Sequence, residues 1–217
     1  MKQFGRFIFI GVALFIILFV VLWNYCPTSG LALTKQRREL NQLKNRTALP
    51  SESDFDSRVM LQALLQPGDD RSRWSMSRAA RIEGYAVSIA SGPHEAANCY
   101  CRPDIHIMLA PRPDAPPREQ IDMEVTPRIK ATNQTQSPPP FAAPSSEAST
   151  PGVVPLQDWS VETLKRELIG RRVRFEGWLF FDSPHAAESE NTAVGRANNW
   201  RASAWELHPI TKIEILK

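Results

Sequence analysis

Four histidines, His94, His106, His185 and His208, carry most of what this sequence offers for chemistry. Asp104 and His106 alternate with the apolar Ile105 and Ile107, and Glu124 holds the same phase in a later run. Glu206 and His208 share one face of Trp205-Glu-Leu-His-Pro209, Asp182 and His185 open a loop, and Arg201 precedes the final run. Imidazoles and carboxylates are what a divalent transition metal accepts, and they also serve as general acids and bases. His106, His208 and Glu206 are therefore the catalytic candidates. Asp104, Glu124, Asp182, His185 and Arg201 are candidates for holding a ligand, and His106, His185 and His208 for ligating a metal. The plain alternative is a solvated strand face, because any half-exposed strand alternates polar and apolar residues. No tight motif such as H-E-x-x-H joins these residues, and there is no Gly-rich phosphate loop, nucleophile elbow or paired C-x-x-C zinc site.

The elements that must position them follow from periodicity. From Arg81 the hydrophobic period is two. "RIEGYAVSIAS" predicts a first strand; "DIHIMLAP" a second, with Ile105, Ile107 and Leu109 inward and Asp104, His106 and Met108 outward; "QIDMEVTP" a third, with Ile121, Met123 and Val125 inward and Asp122, Glu124 and Thr126 outward. Pro111 and Pro127 end the second and third strands. "QDWSVETLKRELIG" predicts a helix opened by Asp158 or Ser160 and closed by Gly170. "RRVRFEGWLFF" is the fourth strand, and the last begins near Trp205, whose phase with Leu207, Ile213 and Ile215 places it in the core. Trp178 falls on the polar face of the fourth strand and needs a cover, from the helix or from residues 54–66. His208-Pro209 marks a bulge where an edge strand bends, because proline removes a ladder donor.

Three strands, a helix and two strands give a mainly β chain whose order resembles the OB-fold superfamily, a five-stranded Greek-key barrel with one helix between strands three and four. The resemblance covers residues 79–130 and 158–217, rests on element order, and identifies no individual family. It implies a ligand groove on the outer face of strands two and three, flanked by the loops 91–103 and 182–190. Between the halves, 131–157 is rich in Pro, Ser and Thr, a composition that cannot bury enough apolar surface to offset ordering entropy, and predicts a disordered insertion.

Ahead of the barrel, 1–6 is a short basic tail and Phe7–Trp23 carries no charge. At about 1.5 Å per residue such a helix roughly crosses a hydrocarbon core. Residues 7–25, ending on the interfacial aromatics Trp23 and Tyr25, are expected to form an uncleaved transmembrane signal-anchor, with the C-terminal domain outside the cytoplasm. Residues 26–53 read as a polar stem and 54–78 as a short helix and connector, the helix capped by Ser53 or Asp54 and carrying Phe55, Val59 and Ala63 at helical spacing. Cys99 and Cys101 are cramped for a disulfide, and an odd cysteine count leaves Cys26 unpaired or bonded between chains.

Residues 1–78 hold 11 Lys/Arg against 6 Asp/Glu, whereas the two barrel segments together hold 15 against 16. A nucleic-acid binder carries its basic stripe on the domain itself, so nucleic acid is not the expected partner. The reading favoured by the sequence is a single-pass, membrane-anchored OB-like domain that binds a protein or small ligand, catalyses nothing and needs no cofactor. The alternative is a metal-dependent hydrolase, such as a nuclease, using a divalent metal ion on the His/Asp/Glu face. A third is single-stranded nucleic-acid binding.

Overall fold

A computed structural model describes residues 25–136 and 153–217, together with residues 11, 12, 14, 15, 17 and 20. Among the described residues no helix is long and apolar enough to cross a membrane. Most of the expected anchor, Phe7–Trp23, and of the expected insertion lies outside them.

Five strands close a mixed barrel. They are β1 (Ala79–Ser91), β2 (Ile105–Ala110), β3 (Ile121–Val125), β5 (Arg172–Phe181) and β6 (Trp205–Leu216), with a short β4 (Val153–Pro155) added outside β6. The strand order is β3-β2-β1-β5-β6-β4, and a parallel pairing of Met123 with Leu207 joins β3 to β6. All the other pairings are antiparallel. This connectivity is compatible with an OB-like fold. Ile82, Ile107, Leu109, Ile121, Met123, Phe175, Leu179, Leu207 and Ile213 fill the interior, as their alternation predicts, and Trp205 joins them at 2% exposure.

The predicted helix forms as α4 (Val161–Leu168). The Ser160 hydroxyl accepts from the Thr163 amide, and Gly170, at φ +76°, follows the last turn. Leu164, Leu168 and Trp159 close one end of the barrel. Both ends of the expected insertion lie in regular structure. α3 (Pro127–Gln136) continues directly from β3, and Val153–Pro155 pairs with Glu214–Leu216. The helix expected within 54–66 shrinks to α2 (Leu61–Leu64), because Phe55 bridges to Ala79 and the Asp56 amide donates to the Ala79 carbonyl.

A bulge does sit at His208-Pro209, a cis peptide, but β6 is a central strand and not an edge. Between the pairs Gly177–Ile210 and Leu179–Leu207 the strand β6 carries one residue more than β5. Gly177 permits this, since a Cβ there would stand 2.5 Å from the Pro209 carbonyl oxygen.

The largest departure from expectation is the stem. Residues 26–48 form a strap packed across the outer face of the barrel. It contains α1 (Lys35–Lys44), opened by Thr34. Cys26 is disulfide-bonded to Cys99 inside the chain, so Cys101, buried, is the free cysteine among the described residues. The Leu31 amide donates to the Ala96 carbonyl, and Gly30 (φ +56°) passes so close that a Cβ would meet Ala96 O at 2.2 Å. Asn45, buried, donates to Thr28 O and Ala97 O and accepts from Arg128. Arg46 donates to Met76 O and Leu179 O, and Trp178 donates to Ala48 O while the Arg46 guanidinium stacks 4.6 Å from its ring. Trp178 is thus covered by the strap, not by α4 or by 54–66.

Candidate functional site

The strap changes what β2, β3 and β6 can be. All five residues of β3 are buried, and so is most of β6. One face of each strand looks into the apolar interior; the other, which the sequence assigns to solvent, lies beneath α1 and the chain around it. Glu206 and His208 are 0% exposed, Asp122 1%, Glu124 3% and Asp104 4%. The expectation of a wet barrel side is overturned, because a solvated face needs no cover and this one has one.

Within that layer the predicted residues converge. His208 Nδ1 lies 3.0 Å from Glu206 Oε1 and 3.1 Å from Glu124 Oε2, and its Nε2 lies 3.9 Å from Asp104 Oδ2. His106 Nδ1 lies 2.7 Å from Asp122 Oδ2 and 3.5 Å from Glu124 Oε1. Glu124 therefore stands between the two imidazoles. Asn98 donates to Asp104 Oδ1 at 2.9 Å. Arg201, 0% exposed, donates to Glu206 Oε2 at 2.9 Å, to Asp182 Oδ2 at 2.7 Å and to Ser189 Oγ at 2.9 Å. The Arg201–Glu206 pair, which would matter little if exposed, is fully desolvated. His185 Nδ1 sits 2.9 Å from Asp182 Oδ2, so the structure holds it with Arg201 and apart from the His106 and His208 trios. His94, on an exposed loop, contacts the Tyr100 carbonyl and belongs to neither.

Lys44, near the end of α1, is the member that sequence reasoning missed. Its ammonium lies 3.9 Å from Glu95 and 5.5 Å from the centre of the Phe180 ring, and it feels Glu124, Glu206 and Asp182. Nothing in its local sequence distinguishes it from the other stem cations; only the strap's path brings it to the face.

Five carboxylates crowd into this dry layer, and several charges there are strongly perturbed. Burial pushes Glu206 up, and Glu124 and Asp182 push it further, to about 7. Burial also lifts Asp104, to about 6, against the pull of His208. Glu124 goes the other way. Burial opposes its ionisation, but the charges of His208 and Lys44 hold it below the usual carboxylate range. Burial alone would lower both imidazoles; Glu124 raises His208, and Asp122 with Glu124 raises His106, each to about 10. Lys44 is likewise pulled down by burial and raised overall by Glu124, Glu206, Asp182 and Glu95. The result is an array of alternating charges in which each cation is held by more than one carboxylate.

No protein family, curated protein or solved structure matches this chain. What it does must be argued from the site.

Two properties of the site bear on chemistry. His106 is the reactive-looking member: its side chain is 26% exposed and Asp122 orients its Nδ1. His208, Glu124 and Glu206 are sealed, and a substrate could reach them only if the strap moved. Beside the strap a cavity of about 380 Å³ opens between Cys26, Thr28, Asn98, Arg102 and Arg128. Its wall residue Asn98 is the one that fixes Asp104, so the cavity adjoins the buried layer without entering it.

Proposed function

We propose that this chain is an OB-like binding domain, tethered to a membrane by Phe7–Trp23, that holds a small ligand or a protein partner and performs no turnover. The observation that carries this reading is the closure of the His/carboxylate face: Asp104, Glu124, Glu206 and His208 are all at or below 4% exposure, beneath a strap fastened by a disulfide. Catalytic groups must touch substrate, and these are walled off. The ligand's place is the cavity beside the strap, where the side chains of Thr28, Asn98 and Arg128 offer polar contacts. An intrachain disulfide suits an oxidising compartment, which supports a domain outside the cytoplasm.

The test is hydrolysis by the purified full-length chain, in detergent, of single-stranded nucleic acid, peptide and ester substrates with and without divalent ions. The expected result is no turnover above that of the His106→Ala variant. Turnover abolished by His106→Ala would overturn the reading in favour of a hydrolase. That second reading draws support from the partly exposed His106 and its Asp122 partner. Single-stranded nucleic acid as a bound ligand is disfavoured by the carboxylates of the covered groove, and no steeply salt-dependent oligonucleotide binding is expected.

A further inference from the structure

We propose that Asp104, Glu124 and His208 bind one divalent transition-metal ion, Zn²⁺ or Mn²⁺, as a buried structural site. The three stand on adjacent strands, Asp104 just before β2, Glu124 in β3 and His208 in β6, and each offers a donor atom within 4.8 Å of the others'. An acidic cluster alone would prove little, but a second observation points into it. His208 Nε2 is buried and, among the described residues, has no hydrogen-bond partner. A buried unpartnered nitrogen is costly unless something fills its lone-pair direction.

The surroundings are those of a ligating histidine. Nδ1–H donates to Glu206 Oε1 at 3.0 Å, with Glu124 Oε2 3.1 Å from the same nitrogen, so the proton an arriving ion displaces is the one on Nε2. Carboxylate, imidazole and metal in that order fix the tautomer and the ring together. Asn98 occupies Asp104 Oδ1, while Asp104 Oδ2 stands 3.9 Å from Nε2. Two donors each bound about 2.0–2.2 Å from one ion are separated by about 3–4 Å, so this spacing fits. Arg201 in turn holds Glu206 at 2.9 Å. One imidazole with two carboxylates favours Zn²⁺ or Mn²⁺ over Ca²⁺ or Mg²⁺, which prefer all-oxygen shells. Because the trio is closed to solvent, the ion's role is to hold β2, β3 and β6 together. The proposal stands independently of what the outer surface binds.

The test uses the full-length chain in detergent, stripped with EDTA, dialysed against Zn²⁺, Mn²⁺, Ca²⁺ or Mg²⁺ in turn, and analysed for bound metal. One equivalent of Zn²⁺ or Mn²⁺ is expected, with affinity weakened about tenfold or more in Asp104→Asn and unchanged in the surface control Glu119→Gln. Retention no greater than buffer, or retention unaffected by Asp104→Asn, overturns the site and leaves a metal-free charge network. Since a buried variant can fail to fold, nitrogen-15 NMR of histidine-labelled wild-type chain supplies a second reading. Zn²⁺ is expected to move the Nε2 resonance of a single histidine, and a spectrum unchanged by Zn²⁺ overturns the proposal.

Discussion

Arg201 is the residue on which the buried layer turns. Its guanidinium is wholly desolvated and divides its donors among Glu206, Asp182 and Ser189. Replacing one partner of a buried pair leaves the other charge stranded, at a cost of about 3–5 kcal/mol. Arg201→Met is expected to lose that much in urea denaturation, and Arg201→Lys to recover little, because a point charge cannot serve three acceptors held in a fork. Asp182 supplies a pH signature. Burial opposes its ionisation, but the His185 hydrogen bond and the charges of Arg201 and Lys44 hold it at about 2, below its ordinary 3.8. Its folded pKa is depressed, so its stabilisation is present above pH 3.8 and is lost as pH falls through about 2. Asp182→Asn is therefore expected to destabilise the chain at neutral pH, with the difference from wild type shrinking across that acid window. A pH-independent difference would show that the carboxylate's charge is not what matters.

At the scale of elements, the strands were legible and the strap was not. Alternation located β1, β2, β3, β5 and the start of β6, and Ser160 and Gly170 marked α4, because period and caps are local properties. The same alternation misassigned Asp122, Glu124 and Glu206 to solvent, because it tells one face from the other but not what lies over each. Part of the cover comes from 26–48, a polar segment with sparse leucines, and part from the loop residues Asn98, Asp182, Ser189 and Arg201; the strap adheres through backbone-directed side chains such as Asn45, Arg46 and Trp178, and through Cys26–Cys99. That disulfide closes a 73-residue separation, so its loss is expected to cost on the order of 4 kcal/mol. In Cys26→Ser, amide exchange should rise across 35–48 while β2 and β5 stay protected. Uniform exchange throughout would mean that the strap and barrel open as one unit. Gly177→Ala should also destabilise, through a collision with the Pro209 carbonyl that only a shift of the bulge can relieve.

For the whole molecule, charge is distributed by layer. The first 78 residues carry the excess of cations, and one of them, Lys44, is spent inside the acidic face. Most of the charge that balances the buried carboxylates comes from the barrel's own His106, His208 and Arg201, and the covering segment adds Lys44 to them. A membrane tether on the same side of the chain would keep the strap and barrel together at the surface. Deleting residues 1–24 is expected to move the protein from the membrane to the soluble fraction in cell fractionation, and retention in the membrane without them would refute the tether. The central claim, that the His/carboxylate face is closed, is tested most directly by hydroxyl-radical footprinting of the native chain, which labels histidines by exposure whatever their protonation, with the products located by mass spectrometry. The account predicts rapid labelling of exposed His94, slower labelling of His106, and protection of His208 until the strap is released in Cys26→Ser. Labelling of His208 in the native wild-type chain as fast as His94 would contradict it.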